Sequence, residues 1–319
     1  MAPPAPMPHL LFDKSAFQAI GGEMHAVVRN QYNVVTAGTL LYEVAGDLRQ
    51  DRSFRTKTPE QHAATLAKKF GGPVNEHRDW RDICRRELSG ENIRLDEGPI
   101  IQNEVEAILP GGARVYLDVK LEDGSIVSPT THWIERLATE TWNTRYPADN
   151  RTLESGVKAL WGILAARIGP SKVRLIDETA VVAEVDRILN DDSLKEILVR
   201  WTADIANDKR NPRRVLRDSV KRRWSTLHKP KLMTFAPYAY HCARVQLLYL
   251  VGYNVWPKGR ERNDLADLDY VRLLPFVDVF VSNDKFVRAL ASHVVRPNQE
   301  LISSSELKNR LDPRGPGGV

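Results

Sequence analysis

The pattern of apolar and polar positions is most regular between Arg262 and Ala291. Val277 to Val281 is β-branched and aromatic apart from Asp278, which predicts a strand buried on both faces. A helical segment follows from Lys285. The helix before the strand is predicted to open at Asp264 or Asp267, to place Tyr270, Val271, Leu273 and Leu274 on its apolar face, and to end at Pro275.

Polar residues follow this predicted strand at once. Ser282, Asn283 and Asp284 place a carboxylate just beyond the strand's end and before the next helix. In open α/β sheets, ligands and chemistry collect at the carboxyl ends of strands. Asp is also a favoured helix N-cap, so the pattern at Asp284 by itself suits a simple cap equally well.

The N-terminal segment repeats this design. His9 to Phe12 is a short apolar run that ends in Asp13 and is followed by a helical pattern from Ala16, which Gly21 and Gly22 interrupt. Val34 to Thr36 predicts a second strand. The helix that starts at Thr39 carries Glu43 in an early turn. Acids therefore follow strands at both ends of the chain.

These acids and their order resemble the PIN-domain nuclease family. The late segment matches best: Asp267 and Tyr270 fit the family's third-acid helix, and Phe280 to Asp284 fits its fourth-acid strand end. Glu300 to Ser303 fits its last short strand, with Ser304 or Ser305 as the cap of a final helix. The resemblance implies an α/β fold with a PIN-like parallel sheet flanked by helices and a large, mostly helical insertion.

The domain organisation follows from this resemblance and from the pattern between the matched parts. We expect a PIN-like nuclease domain built from 9–50 and 258–311, an insertion over 51–257, a disordered arm at 1–8 and a flexible tail at 312–319. The alternation of strand and helix is predicted to stop after Gln50. Inside the insertion, the pattern predicts a possible hairpin strand at Ala113 to Val119 and helices at Thr58–Phe70, Arg78–Leu88, Thr131–Asn143, Thr152–Ile168, Glu178–Leu189, Ser193–Ile205, Pro212–Leu227 and Tyr238–Val255.

Four carboxylates carry the predicted chemistry: Asp13, Glu43, Asp267 and Asp284, with Asp264 as an alternative or additional ligand. The third acid is open among Asp264, Asp267 and Asp269. Like charges brought together raise one another's pKa, so such a cluster needs a cation. Hard oxygen ligands suit Mg²⁺ or Mn²⁺, which activate water and neutralise a leaving oxygen in phosphodiester hydrolysis.

Roles within this cluster follow from position along the chain. Asp13 and Asp284 are predicted as the primary metal ligands, and Glu43 and Asp267 as ligands of a second ion or as residues that position the water. Ser282 and Asn283 are predicted to orient a ligand or the scissile phosphate. The alternative is that all these acids are independent caps and surface charges.

Composition narrows the classes of protein to which this chain could belong. An apolar content of 42% can fill a core, and two cysteines without ligand spacing favour a reducing, cytoplasmic setting. No run approaches the ~20 apolar residues of a membrane span. The chain has no GxSxG, GxGxxG, P-loop or HExxH motif.

Charge is concentrated in one stretch, Asp208 to Lys231. It holds ten basic residues against two acids, a net charge of +8, whereas the rest of the chain sums to −3. Such a patch suits phosphate backbones, and a neighbouring aromatic suits base stacking in single strands. The predicted nucleic-acid contacts are Arg213, Arg214, Arg217, Lys221, Arg222, Arg223 and Trp224.

The sequence therefore predicts a Mg²⁺- or Mn²⁺-dependent nuclease that cuts RNA or, as the less favoured substrate, single-stranded DNA. One alternative is a catalytically silent PIN-like protein that binds nucleic acid or acts as a scaffold. Another is a protein-interaction module in a toxin–antitoxin or defence complex. A protein partner or a homo-oligomer is compatible with each of these, and no contact with a membrane is expected.

Overall fold

Two segments from opposite ends of the chain form the centre of a parallel sheet. In the computed structural model, β1 (His9–Phe12) lies between β2 (Asn33–Ala37) and β7 (Val279–Val281). β3 (Asn75–His77) extends the sheet beyond β2, and β8 (Glu300–Ile302) extends it beyond β7. All four neighbouring pairs run parallel, and the order is β3-β2-β1-β7-β8. The expected α/β fold with a parallel sheet and flanking helices is confirmed.

The structure describes residues 6–40, 43–44, 65, 69–70, 75–101, 104–108, 114–120, 126–127, 177–206, 213–253, 255–257 and 264–312. Several predictions lie wholly or largely outside these ranges. They are the helices at Thr58–Phe70, Thr131–Asn143 and Thr152–Ile168, most of the arm at 1–8, and the tail after Asp312.

The central strands form where the sequence is continuously apolar. Leu10, Leu11 and Phe12 of β1 are buried one after another, as are all three residues of β7. In register, Leu10 lies opposite Val34 on one side and Val279 on the other. A strand with no exposed face requires cover on both sides of the sheet, and β-branched and aromatic residues supply the packing.

Helices cover the sheet in two groups. From β1 the chain moves to β2 in one direction across the sheet, and from β7 it moves to β8 in the opposite direction. Right-handed connections therefore place the helices of these two crossovers on opposite faces of the sheet. The helices are α1 (Lys14–Ala19), α2 (Gly22–Gln31), α3 (Trp80–Ser89), α4 (Glu178–Asn190), α5 (Lys195–Ile205), α6 (Arg213–Thr226), α7 (Leu232–Phe235), α8 (Pro237–Val251), α9 (Asp264–Arg272), α10 (Lys285–Ser292) and α11 (Ser304–Leu311).

Contacts between these helices define the two groups. α11 packs against α1 and α2, and α8 packs against α9 and α10. α8 also packs against α3 and α4. It therefore connects α9 and α10, beside the sheet, to other helices of the predicted insertion, residues 51–257. Its sequence is apolar on nearly every side, which suits a helix enclosed by neighbours. Within the described ranges, no helix has both the length and the apolar composition to cross a bilayer.

One detail of the predicted insertion, residues 51–257, differs from expectation. The prediction that strand–helix alternation stops after Gln50 is wrong, because β3 pairs with β2 in the parallel sheet. Asn75–His77 is polar, so no apolar pattern marks it as a strand. The predicted hairpin strand is confirmed: β5 (Arg114–Lys120) pairs antiparallel with β4 (Glu104–Ile108), and β6 (Ile126–Val127) pairs with β5.

The cap of the last helix also differs by one residue. Ser303, rather than Ser304 or Ser305, caps α11, and Glu306 completes a reciprocal capping box with it. Ser303 therefore ends the strand segment and begins the helix, which keeps the turn after β8 short.

Candidate functional site

Asp13 lies directly beyond β1, at the carboxyl edge of the sheet. Its backbone N–H donates to the Val281 carbonyl at 3.1 Å, so it sits beside the end of β7. Its Oδ1 accepts from the backbone N–H of Ala16 at 2.7 Å, which makes Asp13 the N-cap of α1. The carboxylate is almost wholly buried, with 2% of the residue exposed. Burial raises the pKa of this carboxyl above its ordinary value, and the charge of Asp284 adds to the rise.

Two hydroxyls hold the Asp13 carboxylate. Ser282 Oγ donates to Oδ2 at 2.5 Å, and Ser15 Oγ lies 2.8 and 3.0 Å from the two oxygens. These bonds lower the pKa of Asp13 and oppose part of the effect of burial. Ser282 therefore contacts Asp13, and its role in orienting a ligand or the scissile phosphate stays a prediction.

Asp284 follows the adjacent strand β7 at the same edge. Its carboxylate accepts from the backbone N–H of Val287 at 3.0 Å and caps α10, and its own N–H donates to Ser282 Oγ at 3.1 Å. The side chain of Asn283 turns elsewhere: Nδ2 donates to Ser304 Oγ at 2.8 Å, and Oδ1 accepts from the Ser304 N–H at 2.9 Å. Asn283 thus joins the end of β7 to α11 rather than facing the acids.

Tyr270 bonds to Glu43 and feels the charge of Asp267. The Tyr270 hydroxyl donates to Glu43 Oε2 at 2.5 Å, and Asp267 lies one turn earlier on α9. Burial raises the pKa of Tyr270 well above its usual range, and the charges of Glu43, Asp13 and Asp267 add to the rise. Three of the four predicted acids are therefore within electrostatic reach of a single buried hydroxyl.

The three candidates for the third acid differ in their partners. Asp269 accepts from Arg272 Nη1 at 2.6 Å and from Thr39 Oγ1 at 2.9 Å, so this carboxylate already serves a buried ion pair. The side chain of Asp264 lies outside the described residues. Asp267 is the candidate whose charge, with those of Glu43 and Asp13, adds to the rise in the pKa of Tyr270.

Asp13 and Asp284 share one edge of the sheet, at the point where the strand order reverses. β1 and β7 start the two halves of the order, and the crevice outside their carboxyl ends is where open α/β sheets bind ligands. Among the described residues, however, no group of three or more His, Cys, Asp or Glu side chains is arranged to hold a metal ion. Both Asp13 and Asp284 also cap helices. Their role as helix caps is therefore compatible with their position at the same edge of the sheet.

The basic stretch differs from its prediction at Trp224. The indole is 2% exposed, and its Nε1 donates to the Pro230 carbonyl at 2.8 Å. The prediction that Trp224 stacks on a base is wrong, because its ring is enclosed in the core. The indole instead closes the turn after α6, where His228 and Lys229 both adopt positive φ.

The cations of α6 fall into three kinds. Arg217 pairs with Asp204, and Arg223 donates to the Glu87 and Leu88 carbonyls at 2.9 and 3.1 Å, so both are used in packing. Lys221 and Arg222 are exposed and remain candidates for phosphate contact. The side chains of Arg213 and Arg214 lie outside the described residues.

Two polar residues of the site escaped sequence reasoning. Ser15 lies two residues after Asp13, in the first turn of the helix that Asp13 caps, so its closeness in sequence is a local signal for the bond. Tyr270 was assigned to an apolar helix face and to the helix of the third acid, and nothing near it in sequence indicates a bond to Glu43. The site therefore has supporting hydroxyls as well as acids.

No protein-family model, curated protein or solved structure matches this chain.

Proposed function

We propose that this protein is a Mg²⁺- or Mn²⁺-dependent nuclease with a PIN-like fold that hydrolyses phosphodiester bonds in RNA. One observation carries the proposal. Asp13 and Asp284 follow adjacent parallel strands at the reversal of strand order, and Ser282 bonds to both the Asp13 carboxylate and the Asp284 amide. A crevice lined by acids at this point of an open sheet is suited to bind a cation and a phosphate ester.

The donor set fits Mg²⁺ or Mn²⁺ in chemical class. All the candidate ligands are carboxylate oxygens, which hard divalent cations prefer. Asp13 is buried and feels the charge of Asp284, and a nearby cation would offset both the burial and the repulsion. Asp13 and Asp284 would hold one ion, and Glu43 and Asp267 would hold a second ion or position water.

The chain's own groups set the geometry of the reaction. Bound cations supply Lewis-acid stabilisation of phosphate charge and a lower pKa for water. Ser15 and Ser282 fix the Asp13 carboxylate in one orientation, and Tyr270 fixes Glu43. Lys221 and Arg222 would attract the phosphate backbone, with RNA favoured over single-stranded DNA as the substrate.

A cleavage assay tests this proposal. Labelled single-stranded RNA and DNA are incubated with the protein in Mn²⁺, in Mg²⁺ and in EDTA. Asp13→Asn and Asp284→Asn are each expected to reduce cutting to background while the protein stays folded. Asp192→Asn is the matched control, because Asp192 is an exposed acid that pairs with Lys231. Cutting that persists in both site variants would refute the assignment.

A second candidate is a PIN-like protein that binds nucleic acid without cutting it. The absence, among the described residues, of a ready group of three metal ligands favours it. Asp13 and Asp284 also cap helices, and this structural role would account for both acids in a protein without catalytic activity. RNA binding that is unchanged by EDTA, with no cleavage by folded wild type, would support this candidate over the nuclease.

A further inference from the structure

A cavity of about 160 Å³ lies between α2 and the strands β1 and β2, and the proposed reaction does not use it. Its walls include three buried phenylalanines: Phe12 of β1, Phe17 of α1, and Phe70. The ring centroids of Phe12 and Phe17 are 6.4 Å apart, and those of Phe17 and Phe70 are 4.7 Å apart. Aromatic rings pack favourably at separations of about 4.5–7 Å, so walls of this kind suit one further ring.

The interior of the cavity matches a single apolar ring in size and polarity. An apolar cavity of about 150 Å³ is large enough to bind benzene. Of the side chains that line this one, His25 and Thr36 are both polar and buried. His25 Nε2 lies 3.2 Å from the Phe17 carbonyl oxygen, and burial lowers the pKa of His25 to about 4, so the imidazole is neutral at pH 7. A nucleobase would leave several donors and acceptors without partners here, which disfavours it relative to an apolar ring.

Two cations, Arg29 and Lys69, line the same cavity and are half-buried, so their charges lie toward solvent. Arg29 Nη1 donates to the carbonyls of Lys69 at 2.8 Å and Phe70 at 3.4 Å. Lys69 Nζ donates to the carbonyls of Phe17 at 3.3 Å and Gln18 at 3.0 Å. These bonds hold both cations beside the aromatic walls.

Within the part of the chain that the structure describes, neither cation has a carboxylate partner. An arginine has five N–H donors and a lysine three, so the carbonyl bonds leave Nε and Nη2 of Arg29 and one Nζ–H of Lys69 for a ligand. Burial and the charge of Lys308 lower the pKa of Lys69. An anion at this position would offset both effects.

We propose that this cavity is a binding site for a small aromatic carboxylate. The ring of the ligand lies among the three phenylalanines, and its carboxylate accepts hydrogen bonds from Arg29 and Lys69. The planar guanidinium group matches the two oxygens of a carboxylate, which gives the anion a defined orientation. The site uses none of the acids of the proposed nuclease centre, so this inference does not depend on the proposed function.

Isothermal titration calorimetry of the full chain in EDTA, with sodium benzoate as the probe, measures this binding. Three comparison ligands separate the contributions: acetate lacks the ring, benzyl alcohol lacks the charge, and uridine 5′-monophosphate joins an anion to a polar ring. We expect benzoate to saturate the protein in the millimolar range and to bind about tenfold or more tightly than each comparison ligand, because each of them loses the ring contacts, the charged hydrogen bonds or the apolar fit.

Two variants locate the site. Arg29→Gln is expected to weaken benzoate binding about 10- to 100-fold, because it removes charged hydrogen bonds to the carboxylate. Val34→Phe, at a half-buried residue of β2 that lines the cavity, fills the space for the ring and is expected to abolish binding. Arg296→Gln is the matched control, since Arg296 is a half-buried arginine that also donates to a backbone carbonyl but does not line the cavity. Its affinity for benzoate should equal that of wild type.

Thermal unfolding without ligand shows which variants are folded, and Val34→Phe decides the location of the site if Arg29→Gln is not. A folded wild type that shows no saturable benzoate binding would overturn the inference, as would wild-type affinity in the folded site variants. Acetate or benzyl alcohol binding as tightly as benzoate would also overturn it, and tighter binding of uridine 5′-monophosphate would assign the cavity to a nucleobase instead. The cleavage assay tests the proposed nuclease separately, because benzoate binding requires no cutting.

Discussion

Ser282 connects the two acids at the carboxyl edge of the sheet. Its hydroxyl donates to Asp13 Oδ2 at 2.5 Å and accepts from the backbone N–H of Asp284 at 3.1 Å. Asp13 and Ser282 are 269 residues apart, and the contact exists because β1 and β7 are neighbours. One buried hydroxyl therefore fixes the position of one acid relative to the other.

Ser282→Ala is expected to lower both stability and activity. It removes a donor from a buried carboxylate, which costs about 1–3 kcal/mol of unfolding free energy. Cleavage is expected to fall about 10- to 100-fold because Asp13 loses its orientation. Urea unfolding and the cleavage assay measure the two effects. Ser292→Ala, at an exposed serine on α10, is the control and is expected to change neither. A Ser282→Ala protein as stable and active as wild type would contradict this role.

Asp13→Asn is expected to gain stability relative to wild type as pH rises. Burial is the main cause that raises the pKa of Asp13 in the folded state, so the native protein binds more protons than the unfolded chain between the two pKa values. The contribution of Asp13 to wild-type stability therefore falls as pH rises through that interval. Asn does not titrate, so the difference in favour of the variant should widen upward from about pH 4, near the unfolded pKa of Asp.

Urea unfolding of both proteins from pH 4 to 8 in EDTA measures this difference. EDTA removes cations that would stabilise the charged carboxylate. A difference that is constant with pH, or that shrinks as pH rises, would show that burial does not dominate at Asp13. The pH trend is independent of whether the protein cuts nucleic acid.

Lys221 and Arg222 are expected to contribute to RNA affinity. Both are exposed on α6, so Lys221→Gln with Arg222→Gln should leave unfolding free energy within about 0.5 kcal/mol of wild type. If each contacts one phosphate of a single strand, the slope of log affinity against log salt should fall by about 1.4 in magnitude. Fluorescence anisotropy in EDTA at several salt concentrations measures the slope. Arg94→Gln, at an exposed arginine paired with Asp96, is the control, and an unchanged slope in the double variant would exclude these contacts.

Trp224→Phe is expected to affect stability and not RNA binding. The substitution removes the indole donor to the Pro230 carbonyl and leaves a gap in a closed core, at a cost of about 1–3 kcal/mol. The same anisotropy titration is expected to give wild-type affinity. A large loss of RNA affinity with unchanged stability would restore base stacking as its role.

The sequence by itself determined the central strands, most of the helices in the described part of the chain, and the positions of the acids along the chain. β1 and β7 are identifiable because a strand buried on both faces needs apolar residues at consecutive positions, and such a run is visible in the sequence. Asp13 and Asp284 are identifiable as strand-end acids for the same reason, since each follows such a run. Burial and periodicity are local properties, so a local pattern can encode them.

Tertiary structure decided which of these residues meet. β3 has a polar sequence, and it forms a strand because its backbone pairs in parallel with the edge of β2. Trp224 is buried because α6 packs on α3 and α5, which its own helical pattern does not specify. The bonds from Ser282 to Asp13 and from Tyr270 to Glu43 join residues more than 200 positions apart. Such pairings depend on the order of strands in the sheet, and no single segment of the sequence contains that order.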